Sequence, residues 1–387
     1  MTAQKMISAA ELDQQNYLAA RDNDTVQLLA HAARSSGRSA FQVQRDFRQM
    51  AKSPSKLNLV EFVRFGLQHS DRFTDDQRSA YISNDLHWPI AHACCHQGWN
   101  SVAEDKVLAE TMMKAADIPV PETVAVIDRS PRLYPGLQKI DNASSLREVV
   151  LNNLDSGLFG KITEGMVSFG TFRIENADEH QITCAGRDPV DYETFLTDVV
   201  GSNAYVVQKV LHNHSALSNY ASALATVRMV NLVTDDGVYC PVAIIKLPQG
   251  DNIADAFWRP GNIACEIDVD TGQIKTVTRR GEMDVEYLQD HPETEGLMGL
   301  QLPHWEQLKE INARAARVFA PLRYQSTDIA ISEDGPVMVE LNYGGGFDLP
   351  QYASGRGMLT PKVRIFFESC GYDFEAKGKR RSWLRRA

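Results

Sequence analysis

The sequence predicts an α+β protein in which a helical N-terminal region precedes mixed lobes of strands and helices. Apolar residues recur at helical spacing from Ala9 to about Ala103, in Val26-Gln-Leu-Leu-Ala-His-Ala-Ala and again in Leu57-Asn-Leu-Val-Glu-Phe-Val-Arg-Phe-Gly-Leu. Beyond Val120 short apolar runs alternate with turn residues, the pattern of strands. The clearest pair is Thr327 to Ile331 and Pro336 to Leu341, joined by Ser-Glu-Asp-Gly335, which reads as a hairpin. At 387 residues, 43% hydrophobic and 23% charged, the chain suits a soluble globular protein of two or three lobes. The net charge of −10 gives a nucleic-acid partner no global support. Six cysteines (Cys94, Cys95, Cys184, Cys240, Cys265 and Cys370) lie scattered behind an N-terminus without signal features. That argues for reduced thiols in a cytoplasmic setting. No stretch approaches the roughly 20 apolar residues of a membrane span, so stable membrane insertion is not expected.

Taken in order, the helical region is punctuated by Gly37, Pro54 and Gly66. In His92-Ala-Cys-Cys-His96 the two histidines share a helix face and Cys95 lies one turn after His92. A zinc site and an ordinary helix interior both fit that spacing. A new segment opens at Glu104-Asp105-Lys106 and runs as an amphipathic helix to the stop at Ile118-Pro-Val-Pro121. A strand over Val120 to Ile127 and a helix over Lys139 to Leu154 follow. Further strands are expected around Arg228, within Leu217 to Val233, and at Pro241 to Leu247. Arg228 alternates with apolar neighbours, so its guanidinium meets either a phosphate-like anion or a structural carboxylate. The segment from Gly250 to Asn262 reads as a loop-rich insert of polar and aromatic residues. Glu266 to Asp270 and Ile274 to Thr278 form a hairpin through Thr271-Gly272-Gln273, and a helix spans Glu306 to Leu322. The tail Lys377 to Arg386 is basic, suited to an anionic surface or simply to solvent.

The C-terminal hairpin carries the chemistry. Side chains two apart on a strand share a face, so Glu340 and Asn342 point together and Asp328 on the neighbouring strand can join them. Three hard oxygen ligands without Cys or His suit Mg2+, with Mn2+ as an acceptable substitute. The same residues could also be acidic flanks of a hairpin.

Asp328-Ile-Ala-Ile-Ser-Glu-Asp-Gly-Pro-Val-Met-Val-Glu-Leu-Asn342, followed by Gly344 to Gly346, resembles the metal-binding end of the ATP-grasp fold. It is most similar to the sugar-transfer associated, alpha-L-glutamate ligase-related group. Ala225-Thr-Val-Arg228-Met-Val, Asp268-Val-Asp-Thr-Gly272, and His291-Pro-Glu-Thr-Glu-Gly with Leu302-Pro-His-Trp305 resemble the same group, so the likeness runs over roughly residues 100 to 370. It implies two α+β lobes gripping ATP behind the helical N-terminal extension. The expected division is an extension over 1–103, a small lobe over 104–210, a large lobe over 211–375 and a basic tail over 376–387. It further implies that Lys106, at a helix start, and Lys161, on a strand, reach the nucleotide phosphates. Gly165, Ser168 and Gly170 would lie in the loop over the triphosphate, although this loop has fewer glycines than is common. Arg173 could face phosphate or solvent. Gln208, Lys209 and Val210 would form the hinge against adenine, with Gln208 standing where an acidic residue is often found. His214 would contact ribose or substrate, and Arg259 and Asn262, in the insert placed near the family's active site, would contact substrate.

The reaction implied is ATP-dependent joining of a small-molecule carboxylate to an amine through an acyl phosphate, releasing ADP and phosphate. Arg228 and Lys161 are its expected catalytic residues, and Asp328, Glu340 and Asn342 its metal ligands. Phosphorylation of a small molecule, or nucleotide binding without catalysis beside glycan-assembly enzymes, are the alternatives. The resemblance leaves a homodimer open.

Overall fold

A computed structural model of the protein describes residues 8–19, 24–165 and 168–376. The basic tail beyond Ala376 therefore lies outside the described residues, as do Met166 and Val167 of the expected phosphate loop. The strands are β1 Thr123–Ile127, β2 Gln138–Ile140, β3 Leu158–Ile162, β4 Phe172–Ala177, β5 Gln181–Cys184, β6 Val190–Asp191 and β7 Tyr205–Lys209, then β8 Thr226–Thr234, β9 Gly237–Leu247, β10 Ile263–Ile267, β11 Val277–Arg280, β12 Val285–Leu288, β13 Tyr324–Ser332 and β14 Gly335–Tyr343. Among the described residues they form two seven-stranded sheets, β2-β1-β7-β3-β4-β5-β6 and β12-β11-β10-β9-β8-β13-β14.

The second sheet holds the site, and strand alternation explains how. The helix Trp305–Val318 packs against β8, β13 and β14. Its Asn312 exchanges amide hydrogen bonds with Asn231 at 2.8 Å and accepts one from the Thr327 hydroxyl at 2.6 Å. Asn231 and Thr327 therefore face the helix. Arg228 and Asp328, each an odd number of residues away, face the opposite side. The hairpin closes through Ser332 opposite Gly335, where Gly335 takes a φ of 125° that other residues rarely adopt.

The helical N-terminal region shares one hydrophobic core with this sheet, from Leu28 and Phe62 to Tyr324 and Phe367. Gln351 locks the two together, its side chain accepting from the Ile82 amide at 2.9 Å and donating to the Ile82 carbonyl at 2.8 Å. Leu359 donates to the Ala80 carbonyl at 2.8 Å, and the backbones pass so closely that a Cβ on Gly357 would lie 2.1 Å from the Ala80 carbonyl carbon. The first sheet has a separate core around Phe172, Phe195 and Tyr205. The helix Ala9–Ala19 reaches it through Ala9.

Three expected elements shift. The helix expected from Lys139 begins at Ala143, because residues 138–140 pair parallel to β1 and Asn142 then caps the helix by accepting from Ser145 at 3.0 Å. The expected helix over Glu306 to Leu322 runs from Trp305 to Val318. The 266–278 hairpin has its strands displaced outward, with only a single bridge between Ile267 and Ile274. Asp268 there accepts from the Thr271 amide and hydroxyl, both at 3.0 Å, and Gly272 turns at φ 80° against the Trp305 ring, so the loop is wide. All six cysteines are unpaired. Among the described residues no helix is long and apolar enough to cross a membrane.

Candidate functional site

A cavity of about 1020 Å³ opens where the two sheets and the N-terminal helices meet. That is the upper end of the range for small-molecule sites, roughly 300–1,000 Å³. On its floor, β8, β13 and β14 lie side by side with Asp328 opposite both Arg228 and Glu340, and Ser326 opposite Asn342. The Asp328 carboxylate receives Arg228 in bidentate fashion, Nη2 to Oδ2 at 2.7 Å and Nε to Oδ1 at 3.0 Å. Lys246 of β9 approaches Asp328 Oδ1 at 3.1 Å and Asp255 Oδ2 at 3.0 Å. Two cations and two carboxylates thus neutralise each other in a largely desolvated cluster. Burial pushes the Asp328 carboxyl up, but Arg228 and Lys246 more than offset it and hold it well below the usual carboxylate range. Burial likewise works against the Arg228 charge, and Asp328 reverses it, so its proton is held more tightly than usual.

Two lysines face this floor. Lys106 opens the helix Lys106–Ala115, whose first amides at Val107 and Leu108 are capped by Asp105 at 2.9 and 3.1 Å. Its ammonium lies 3.1 Å from Glu340 Oε1 and donates to the Gly165 carbonyl at 2.8 Å. Lys161, on β3, is pushed down to about 8 by loss of water, an effect opposed by Glu340 and reinforced by Lys106. An ammonium so placed gains from any anion that enters beside it.

Of the other expected residues, Gly165, Ser168, Gln208, Lys209 and Val210 line the cavity, together with Lys106, Lys161, Arg228, Asp328, Glu340 and Asn342. Gly170 and His214 do not line it. The Gly170 amide instead donates to Asp13 at 2.9 Å, while His214 caps a short helix by accepting from Ala216 at 3.0 Å and pairs with Glu333 at 3.5 Å. Gln208 is buried, donating to the Thr123 hydroxyl at 3.1 Å. The Lys209 and Val210 amides are committed to the carbonyls of Glu122 and Gly157. Arg173 pairs with Glu175 at 2.7 Å. Arg259 bonds Asp13 at 3.1 Å and the Ser168 carbonyl at 3.2 Å, and Asn262 is fully buried, organising the insert through Gln249, Ala254 and Ala256. In the His92 to His96 stretch, Cys95 donates to the Tyr324 carbonyl and His96 caps the next helix. Among the described residues no three His, Cys, Asp or Glu side chains gather to hold a metal.

Sequence reasoning gave no role to Lys246 or Asp255, nor to His87. His87 accepts from the Gly345 amide at 3.0 Å, and burial pushes it down to about 4. A lysine late in a strand and an aspartate in a loop carry no local signal of this kind. Only the β8–β9 pairing, Thr226 opposite Lys246, brings them to Asp328.

The donor set partly fits a hard divalent cation. Glu340 is accessible from the cleft, and Asn342 has its amide nitrogen buried without a partner beside the equally unpartnered Ser326 hydroxyl. The orphaned amide N–H calls for a hydrogen-bond acceptor, and it is the Asn342 carbonyl oxygen that could serve a cation. Asp328, in contrast, already has both oxygens occupied by cationic side chains.

Residues 98–365 match the family model described as sugar-transfer associated ATP-grasp. No curated protein matches the chain. Among solved structures, the VanG D-Ala:D-Ser ligase of Enterococcus faecalis is similar at 13% identity and a TM-score of 0.39, covering 70% of this chain and 64% of that one. A biotin carboxylase of Campylobacter jejuni, solved as a beta-gamma-ATP complex, gives 12% identity and 0.39, covering 70% and 47%. The D-cycloserine synthetase DcsG gives 10% identity and 0.40, covering 77% and 84%. The chain thus spans less than two thirds of the VanG structure and under half of the biotin carboxylase. With the family model spanning more than half of its length and two α+β lobes enclosing the cavity, the chain belongs to the sugar-transfer associated ATP-grasp family.

Proposed function

We propose that the protein is an ATP-dependent ligase that joins a small-molecule carboxylate to an amine, releasing ADP and phosphate. The observation that carries this reading is the meeting of Lys106 and Lys161 with Glu340 in one desolvated cleft. Two ammonium groups beside a carboxylate are set to receive a polyphosphate, whose charge they would share.

In this reading Lys106 and Lys161 bind the terminal phosphates, with Gly165 and Ser168 close over them. The hinge at Gln208 to Leu211 receives the base; with the Lys209 and Val210 amides committed, Leu211 supplies the N–H. Glu340 and Asn342 would hold Mg2+, which would supply positive charge against the charge developing on the phosphates. Asp328 acts through Arg228, keeping the guanidinium oriented in the cleft. A substrate carboxylate oxygen attacks the γ-phosphorus as its bond to the β–γ bridging oxygen breaks, giving ADP and an acyl phosphate. The amine then attacks the acyl carbon, the C–O bond to phosphate breaks, and the amine proton leaves with the phosphate. Arg228 offsets the negative charge that builds in both steps. ATP use and free thiols suit a cytoplasmic location.

The test is product analysis on the purified full chain with magnesium-ATP and paired panels of carboxylic acids and amines. ADP and free phosphate should appear together only when an acid and an amine are both present. A phosphorylated product without free phosphate would replace ligation by kinase chemistry, and calorimetric nucleotide binding with no turnover would leave a sensor.

A further inference from the structure

The helical region contributes an arginine to the cavity that none of the chemistry above uses. Arg64 ends the short helix Leu59–Arg64, lines the cavity, and is only 7% exposed. Its Nε and Nη2 have no hydrogen-bond partner. Arg64 and Lys246 are the two most deeply buried cationic residues among those described, and Lys246 lies against two carboxylates. Arg64 has the Tyr352 hydroxyl as its polar neighbour.

The acid nearest in sequence does not fill the gap. Glu61 spends both oxygens on the backbone, accepting from Asn58 at 3.0 Å and Asn84 at 2.7 Å. Burial also pushes it up to about 7, so at neutral pH it is only partly charged. A guanidinium cannot shed its proton, and leaving one desolvated without a counter-charge is costly. The cavity connects this arginine to the reacting end. Arg64 and Tyr352 line the same cavity as His87, Arg228 and Lys161.

We propose that Arg64 is the anchor for an oxyanion group, a carboxylate or a phosphate, on the molecule that occupies the cavity away from the nucleotide. The planar fork of the guanidinium matches either group, and Tyr352 offers a hydroxyl alongside. Calling that molecule a substrate rests on the ligase reading; the anion site itself does not. The substrate class is then a small molecule with an anionic group remote from its reacting centre.

Thermal unfolding of the full chain, with succinate or inorganic phosphate added at constant ionic strength, tests this. The wild-type midpoint should rise with at least one probe, and the one that acts identifies the oxyanion as carboxylate or phosphate. Lys161→Met should keep that rise and Arg64→Met should lose it, while Arg64→Met retains the rise produced by magnesium-ATP. Ligand-free Arg64→Met should melt no lower than wild type, because an uncompensated charge has been removed. Arg64→Lys, which keeps the charge but not the fork, should bind the active probe roughly tenfold more weakly. No rise in wild type with either probe, or a rise that survives Arg64→Met, overturns the proposal. A wild type that answers the anion through Arg64 but gives no response to magnesium-ATP would overturn the ligase reading and leave the anion site standing.

Discussion

Replacing Asp328 with asparagine separates a structural ion cluster from a solvent-facing metal ligand. The carboxylate is 5% exposed and answers two cations, Arg228 through two hydrogen bonds and Lys246 through one oxygen. Removing one partner of a buried pair costs roughly 3–5 kcal/mol, since the other charge is left uncompensated. Lys246 retains Asp255 at 3.0 Å and the Arg228 side chain is 23% exposed, so the lower end, about 3 kcal/mol, is expected. The assay is thermal unfolding of the nucleotide-free full chain of 387 residues, where such a loss lowers the midpoint by roughly 4 °C. The paired substitution R228M/D328L should recover most of it, because an apolar pair of similar volume replaces the charges. The carboxyl is held below its usual range, so this stabilisation is fully present above about pH 4 and is lost as pH falls further. An Asp328→Asn protein that melts with the wild type would refute the cluster as a structural element. It would return Asp328 to the role of a free ligand.

Glu340→Gln should lower turnover by roughly a hundred- to a thousandfold while leaving the melting midpoint nearly unchanged, since its side chain is 26% exposed; ADP release and unfolding measured on the same preparation check both halves. Gly160→Ala places a Cβ 2.1 Å from the Phe172 ring, which is itself packed against Phe195 and Tyr205. It should destabilise by about 1–3 kcal/mol and weaken nucleotide binding through the strand that carries Lys161, seen in melting and calorimetry. Glu61 is raised from 4.5 to about 7, so the folded state holds a proton that the unfolded chain has released, and wild-type stability should fall as pH rises through that window. The fall is at most roughly 3 kcal/mol, and Glu61→Gln, which keeps one of the two accepted backbone hydrogen bonds and cannot titrate, should flatten it in urea midpoints measured across the window.

What was legible in the sequence was local. Apolar spacing marked the N-terminal helices, and Ser-Glu-Asp-Gly335 marked a hairpin; its loop register alone would set Asp328 opposite Val339, and a bulge between Asp328 and Ile329 moves it opposite Glu340. Lys106 could be placed at a helix start because Asp105 is a good cap. The misplaced start of the 143–153 helix turns on the pairing of 138–140 with β1, and the widened 263–280 hairpin on Gly272 packing against Trp305, partners that no short window of sequence contains. His214 and Gly170 had plausible spacing, yet their polar groups are taken by Glu333 and Asp13.

By itself the sequence determined the strand pair and that Glu340 and Asn342 share a face, since alternation and turn chemistry act within a few residues; the bulge that turns Asp328 to that face belongs to the structure. Only the tertiary structure decided that Asp328 would be held by Arg228, a hundred residues upstream, and by Lys246 on the strand beyond. It also decided that Arg64 of the helical extension would stand in the same cavity with its Nε and Nη2 unpartnered. The reason is physical: strand neighbours and the docking of remote helices are chosen by burial summed over the whole core, and a charge shows its partners only once that burial has brought them together.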